Sequence, residues 1–145
     1  MEVICTDVAV TVESTLAENL AANESIKVRA AVLDWGPMTS EKIRQVLNSK
    51  TEELGGLDVT ILASDVLYHP ESHPLLLDTM LSLFDFVRKK NGGKEGRCQA
   101  LIAYKPRTEG DDGFFALARV AGLDVELVWS FGAIQVYRFG AVGLL

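Results

Sequence analysis

The chain has few of the residues that build metal centres, disulfide frameworks or membrane spans. It holds two cysteines and two histidines in 145 residues. Cys5 and Cys98 follow no metal or redox spacing, so they read as reduced thiols buried near strand ends. His69 and His73 stand four apart, but no Glu follows in His-Glu-x-x-His order and no further ligands accompany them, so no metal site is assigned. Basic residues are outnumbered, 14 Lys and Arg against 20 Asp and Glu, for a net charge of −6. That balance argues against a binder of nucleic-acid backbones, which normally shows a basic face. No apolar run approaches the ~20 residues a membrane span needs, and the start lacks the basic-then-apolar pattern of a signal peptide. A cytoplasmic, or also nuclear, protein is the expectation. Glycine is missing where a dinucleotide site would require it: Asp7 is followed by Val8-Ala9-Val10. A dehydrogenase-type nucleotide fold is thereby disfavoured.

What is present is apolar and regularly spaced. Hydrophobic residues make up 48% of the chain, enough for the core of one domain spanning residues 1–145, and the length is too short for two ordinary domains. Strand and helix patterns alternate. Glu2 to Thr6 predicts a strand, and residues 10–22 a helix with Val12, Leu16, Leu20 and Ala21 on one side and Asn23 closing it. Lys27 to Leu33 predicts a second strand. Thr39 or Ser40 can cap a helix running to about Lys50, with Ile43, Val46 and Leu47 as its stripe.

A third strand spans 58–64. A long helix follows over 70–90, with Leu75, Leu76, Thr79, Met80, Leu83 and Val87 inward. Cys98 to Tyr104 is a fourth strand, and 111–121 a helix ending at Gly122. Leu123 to Trp129 and Ala133 to Arg138 are closing strands whose short connection forces them antiparallel. The pattern is α/β and doubly wound, with right-handed crossovers expected.

Candidate chemistry clusters after strands. Asp58-Val59-Thr60-Ile61-Leu62-Ala63-Ser64-Asp65-Val66-Leu67-Tyr68-His69-Pro70 is an apolar run, expected to be a buried strand, that ends in an acid, a phenol and an imidazole. In open parallel sheets ligands sit at the carboxyl ends of strands, where these three side chains would fall. Asp65 can also be read as a cap for the helix after Pro70, and Tyr68 as packing on the sheet rim. Asp7, directly after the first strand, suits a ribose diol or equally a helix N-cap. Leu33-Asp34-Trp35-Gly36 offers an acid and an indole to a purine, or simply a tryptophan closing the sheet edge. Tyr104-Lys105-Pro106-Arg107 ends the fourth strand with two cations that could meet an acidic peptide or form an exposed rim. Phe114 and Phe115 read as core.

The Asp65-x-x-Tyr68 segment resembles the Asp-x-x-Tyr signature of the seven-stranded, S-adenosylmethionine-dependent protein-lysine methyltransferases (the methyltransferase-like 21 and elongation-factor methyltransferase group). Cys5-Thr6-Asp7, the Trp35-Gly36 pair and the Tyr104-Lys-x-Arg107 and Phe114-Phe115 segments fit the same family. The resemblance implies a Rossmann-like class I sheet, mostly parallel with an antiparallel last strand pair. It implies S-adenosylmethionine as cofactor, held by Asp7, Asp34, Trp35 and Ser64, with Asp65 and Tyr68 catalytic. It also implies a protein substrate, such as a translation factor or chaperone, with no role for nucleic acid or membrane.

The family sheet runs 3-2-1-4-5-7-6, and the resemblance starts at its second strand. The first strand and its glycine loop have no counterpart: Gly55-Gly56 precedes a strand, and Gly92-Gly93 follows a helix. The expectation is an N-terminally truncated methyltransferase domain with strand order 3-2-(gap)-4-5-7-6. A non-catalytic form unable to hold the cofactor fully is the alternative.

Overall fold

The computed structural model describes residues 2–23, 27–47, 58–92, 98–107 and 112–141. They form two compact units, one holding the described residues up to 35 together with 39–47, the other residues 36–38 and the rest.

In the first unit β1 (Val3–Asp7) pairs in parallel with β2 (Val28–Val32), from Val3 opposite Val28 to Asp7 opposite Val32. One more bond, Leu33 N–H to the Asp7 carbonyl at 2.9 Å, carries the ladder past both strand ends. The predicted 10–22 helix is present but irregular: α1 (Ala9–Thr11), a π-helical stretch Val12–Leu16, then α2 (Ala17–Ala21). Ser14 Oγ donates to the Val10 carbonyl at 2.6 Å, a competitor for helix hydrogen bonding that distorts the turn around it. Asn23 closes the run as expected, its Nδ2 donating to the Asn19 carbonyl at 2.7 Å. The expected inward face is only half realised, since Val12, Leu16 and Leu20 are half-buried and Ala21 is exposed. Helix α3 (Ser40–Leu47) starts where Thr39 Oγ1 accepts the Lys42 N–H at 3.2 Å, and it buries Ile43 and Val46. Its predicted end near Lys50 lies outside the described residues. Arg29 on β2 reaches the Val46 carbonyl at 2.5 Å and Glu2 at 2.7 Å, placing a cation on carbonyls that end a helix.

The second unit is built on β3 (Val59–Ser64), β4 (Cys98–Tyr104), β5 (Leu123–Phe131) and β6 (Ile134–Ala141), in the spatial order β3-β4-β6-β5. β3 and β4 are parallel, and β6 runs antiparallel to both β4 and β5. With the family numbering shifted by one, the two ladders read 3-2 and 4-5-7-6, so the order inside each unit is the predicted one. Gly132, at φ +58°, opens the two-residue link between β5 and β6, a left-handed backbone that glycine adopts without strain.

One face of this sheet carries the core. A 3₁₀ turn (Pro70–Ser72) leads into α4 (His73–Lys90), and α5 (Gly113–Val120) follows β4. Leu76, Leu77, Met80 and Phe84 of α4 and Phe114, Phe115 and Ala118 of α5 pack on Ala100, Ile102, Tyr104 and Phe139. Phe114 lies edge-on to Phe139 with ring centroids 5.5 Å apart, and Phe115 edge-on to Tyr104 at 5.3 Å.

Three expectations are corrected here. Strand 58–64 is not buried throughout: Ile61 and Ala63 pack against the core, while Leu62 is 74% exposed, because β3 is an edge strand with one face covered. On α4, Leu75 is exposed, and His73, Leu77, Phe84 and Phe86 join the buried set, which spans more of the helix than the predicted stripe. Cys98 begins β4 as expected, but Cys5 lies mid-strand; both thiols are free and half-buried.

Thr79 is the buried polar group that α4 cannot spare. Its hydroxyl accepts the Gly36 N–H at 2.8 Å and lies within hydrogen-bond reach of the Leu75 carbonyl at 3.0 Å. Thr79→Val keeps the shape and strands the Gly36 amide, so it should cost about 1–3 kcal/mol in denaturant unfolding. Burial pushes the Cys98 thiol up to about 12. Stability drawn from the neutral thiol is complete below its unfolded value near 8.5 and fades as pH rises toward 12. Iodoacetamide at pH 8 should therefore leave Cys98 unmodified in the native chain and label it after denaturation, as peptide mass analysis would read.

Candidate active site

The carboxyl ends of the strands carry the candidate side chains, those of each unit in turn. In the first unit, Asp7 is the last residue of β1 and exposed; its Oδ1 accepts the Val8 N–H at 2.7 Å. That bond ties the carboxylate to the residue before α1, which has no side-chain cap, and leaves Oδ2 for another donor. Asp34 and Trp35 follow β2 by two and three residues, at the same end of the two-strand ladder as Asp7. Asp34 is exposed, and Trp35 keeps 37% of its surface in solvent. An acid with one oxygen unengaged among the described contacts and an accessible indole at the same ladder end suit a ribose diol and a purine face, respectively.

In the second unit, Ser64 ends β3 and is exposed. Asp65 comes next, and its N–H donates to the Ala103 carbonyl at 3.1 Å, extending the parallel ladder by one bond. Its backbone then turns left-handed, φ +59°, where side chains other than glycine, asparagine and aspartate are rare. That turn aims the following loop away from the strand. Leu67, at 2% exposed, plugs into the core and fixes the loop, while Tyr68 beside it stays 51% exposed. The Tyr68 and His69 rings lie 4.2 Å apart, and His69 Nδ1 lies 3.1 Å from Glu71.

The alternative of Asp65 as a helix cap finds no support. Neither the 3₁₀ turn at Pro70 nor α4 has a side-chain hydrogen bond at its N-cap. The Asp65 carboxylate instead meets Arg107, three residues beyond β4, with Oδ2 2.6 Å from Nη2. Sequence reading left Arg107 between an acidic peptide and an exposed rim, and missed this pairing. The available signal was its position: in parallel neighbours, residues just past both carboxyl ends fall together. The two histidines part company, His69 exposed and His73 buried with Nε2 3.0 Å from the Leu67 carbonyl. Phe114 and Phe115 are core, as expected.

A model of a lysine methyltransferase family matches residues 1–120. The chain belongs to that family. A search of curated proteins finds no match. Family membership makes methyl transfer the reaction class of this enzyme and a protein its substrate class, and the mixed α/β architecture is compatible with the Rossmann-like methyltransferase fold. No helix among the described residues is long and apolar enough to cross a membrane.

In this methyltransferase the Asp65–Tyr68 loop hangs on His73. Replacing it with phenylalanine fills the space but removes the side-chain hydrogen bond that, among the described residues, engages the Leu67 carbonyl. His73→Phe should lower unfolding stability by about 1–3 kcal/mol and speed hydrogen exchange through residues 65–69 ahead of the sheet, readable by exchange mass spectrometry.

Proposed function

We propose that the chain is an S-adenosylmethionine-dependent protein-lysine N-methyltransferase, with Asp65 and Tyr68 at the reacting amine and Asp7, Asp34, Trp35 and Ser64 toward the cofactor. The methyltransferase-like 21 and elongation-factor group is the proposed subgroup, and the two units act in this reading as one domain. The observation that carries it is an exposed carboxylate on a left-handed turn at the carboxyl end of β3, three residues from an exposed phenol, in a chain of the lysine methyltransferase family.

Bound S-adenosylmethionine supplies an electrophilic methyl group. The residues have to deliver a neutral amine to it. A lysine titrates near 10.4 in water, so the amine needs a place where losing its proton is cheap and its lone pair is aimed. Asp65 offers an oxygen to an amine hydrogen and so orients the nitrogen. Tyr68 offers a ring face that tolerates the cationic product. Water can take the proton finally, so neither residue must be a strong base. On the cofactor side, Asp7 presents the carboxylate oxygen that a ribose diol needs and Trp35 a face for a purine, with Asp34 next to Trp35 in sequence and Ser64 at the end of β3.

The test is transfer of tritiated methyl from S-adenosylmethionine to lysines of a heat-inactivated cell extract, with hydrolysis to identify ε-methyl-lysine. Asp65→Ala should abolish transfer while cofactor affinity stays within a few-fold, because the contact serves the transition state and not uniform binding. Tyr68→Phe should be milder than Tyr68→Ala, since the ring survives. Asp7→Ala should instead weaken cofactor binding by calorimetry. A chain that binds no S-adenosylmethionine at about 100 µM would favour the non-catalytic reading.

A further inference from the structure

We infer that Arg107 is a positioning residue: it holds one oxygen of the Asp65 carboxylate, aims the other at the substrate amine, and cancels the charge that would otherwise keep that amine protonated. The inference rests on the catalytic reading of Asp65 and goes beyond it.

Asp65 is the one non-glycine residue with positive φ among those described. A left-handed aspartate carries a conformational penalty that glycine would not. Its side chain does not recover that penalty by capping, for the caps of the following turn and helix use no side chain. Nor does the ion pair explain it through stability. Asp65 is 50% exposed and Arg107 52%, and pairs that wet contribute little. What the arrangement does secure is direction. Asp65 N–H is fixed to the Ala103 carbonyl, and the chain from Ala103 runs through Tyr104, buried in the core, to Arg107. The guanidinium thus approaches Oδ2 from a neighbouring strand end and leaves Oδ1 unengaged among the described contacts.

The electrostatics favour a paired acid over a lone one. A bare carboxylate beside a lysine stabilises the ammonium and holds back the neutral amine that attacks. A carboxylate bonded to arginine still accepts a hydrogen bond, but its net field at the amine is far smaller. The other charged or titratable groups of these segments are Tyr68, His69 with its Glu71 partner, and Lys105, which follows β4 as Arg107 does. From the adjoining start of β6 comes Gln135, opposite Tyr104, which carries no charge.

The experiment measures initial rates of tritiated methyl transfer to heat-inactivated extract across pH 6.5–10 for the full chain and its variants. Arg107→Met should lower kcat at pH 7.5 tenfold or more, leave KM for S-adenosylmethionine within twofold, and move the rising limb of the pH–rate profile upward by about one unit. Arg107→Lys should return the limb to its wild-type position but recover only part of kcat, because an ammonium restores charge without the planar fork. Loss of rate with an unmoved limb would mark a structural role only and overturn the inference. If Arg107→Met does not fold, Arg107→Lys decides alone, and unchanged kcat there overturns it. Backbone strain is read separately: Asp65→Gly should melt about 2–4 °C above Asp65→Ala and be equally inactive. Wild-type transfer that survives Asp65→Asn sinks the catalytic reading itself. Transfer lost in Asp65→Asn but intact in Arg107→Met sinks only the role of Arg107.

Discussion

The candidate site in the second unit depends on β4 being held on both edges. Its backbone pairs in parallel with β3 and antiparallel with β6, and Ala100, Ile102 and Tyr104 bury their side chains under α4 and α5. A strand so constrained cannot slide by a residue without exchanging its core face for its solvent face. Where β4 ends is therefore fixed, and with it the emergence of Arg107. The last bonds of its ladder with β3 fix the other half: Ser64 lies opposite Ala103, and Asp65 N–H still finds the Ala103 carbonyl. Two residues 42 apart in sequence are brought to 2.6 Å by this register.

Much of this order was legible in the chain itself, because parallel strands announce themselves as short apolar runs bounded by turns. β4 was bounded correctly at Cys98 and Tyr104, and the antiparallel closure followed from a connection too short for a crossover. Thr39 as a cap, Asn23 as a stop and Phe114 and Phe115 as core were also readable from residue type and spacing. The misses have a common cause: they depend on what covers a face, which local pattern does not reveal. Leu62 is as apolar as Ile61, yet it points away from the helices. The helix α4 meets neighbours around more of its circumference than a single stripe, so Phe84, Phe86 and His73 go inside. The π-helical stretch is invisible to a 3.6-residue template, although Ser14 bonding back to Val10 is a residue-level reason for it.

The Asp65–Tyr68 loop shows the same division. An acid and a phenol three residues apart after an apolar run could be located by pattern. The left-handed backbone at Asp65 could not, because aspartate also adopts ordinary turns, and its pairing with Arg107 is a tertiary fact. His73 is the instructive case. By spacing it belongs with His69, but burial gives it a backbone carbonyl on one side and the Phe114 edge on another, at a centroid distance of 5.6 Å. It serves the loop through packing and one hydrogen bond.

Rigid support and exposed chemistry are thus adjacent by construction. Leu67 at the middle of the loop is sealed in the core and His73 grips its carbonyl, while Asp65, Tyr68 and His69 on either side stay in solvent. In the proposed reaction a protein substrate would bring a long flexible lysine to such a place, and the entropy of that side chain would be lost on arrival. A loop that were itself mobile would add its own ordering to that loss. Anchoring the loop at its apolar midpoint removes most of the second cost before the substrate arrives, which is how a site can be open to a protein surface and still hold two functional groups in a fixed relation.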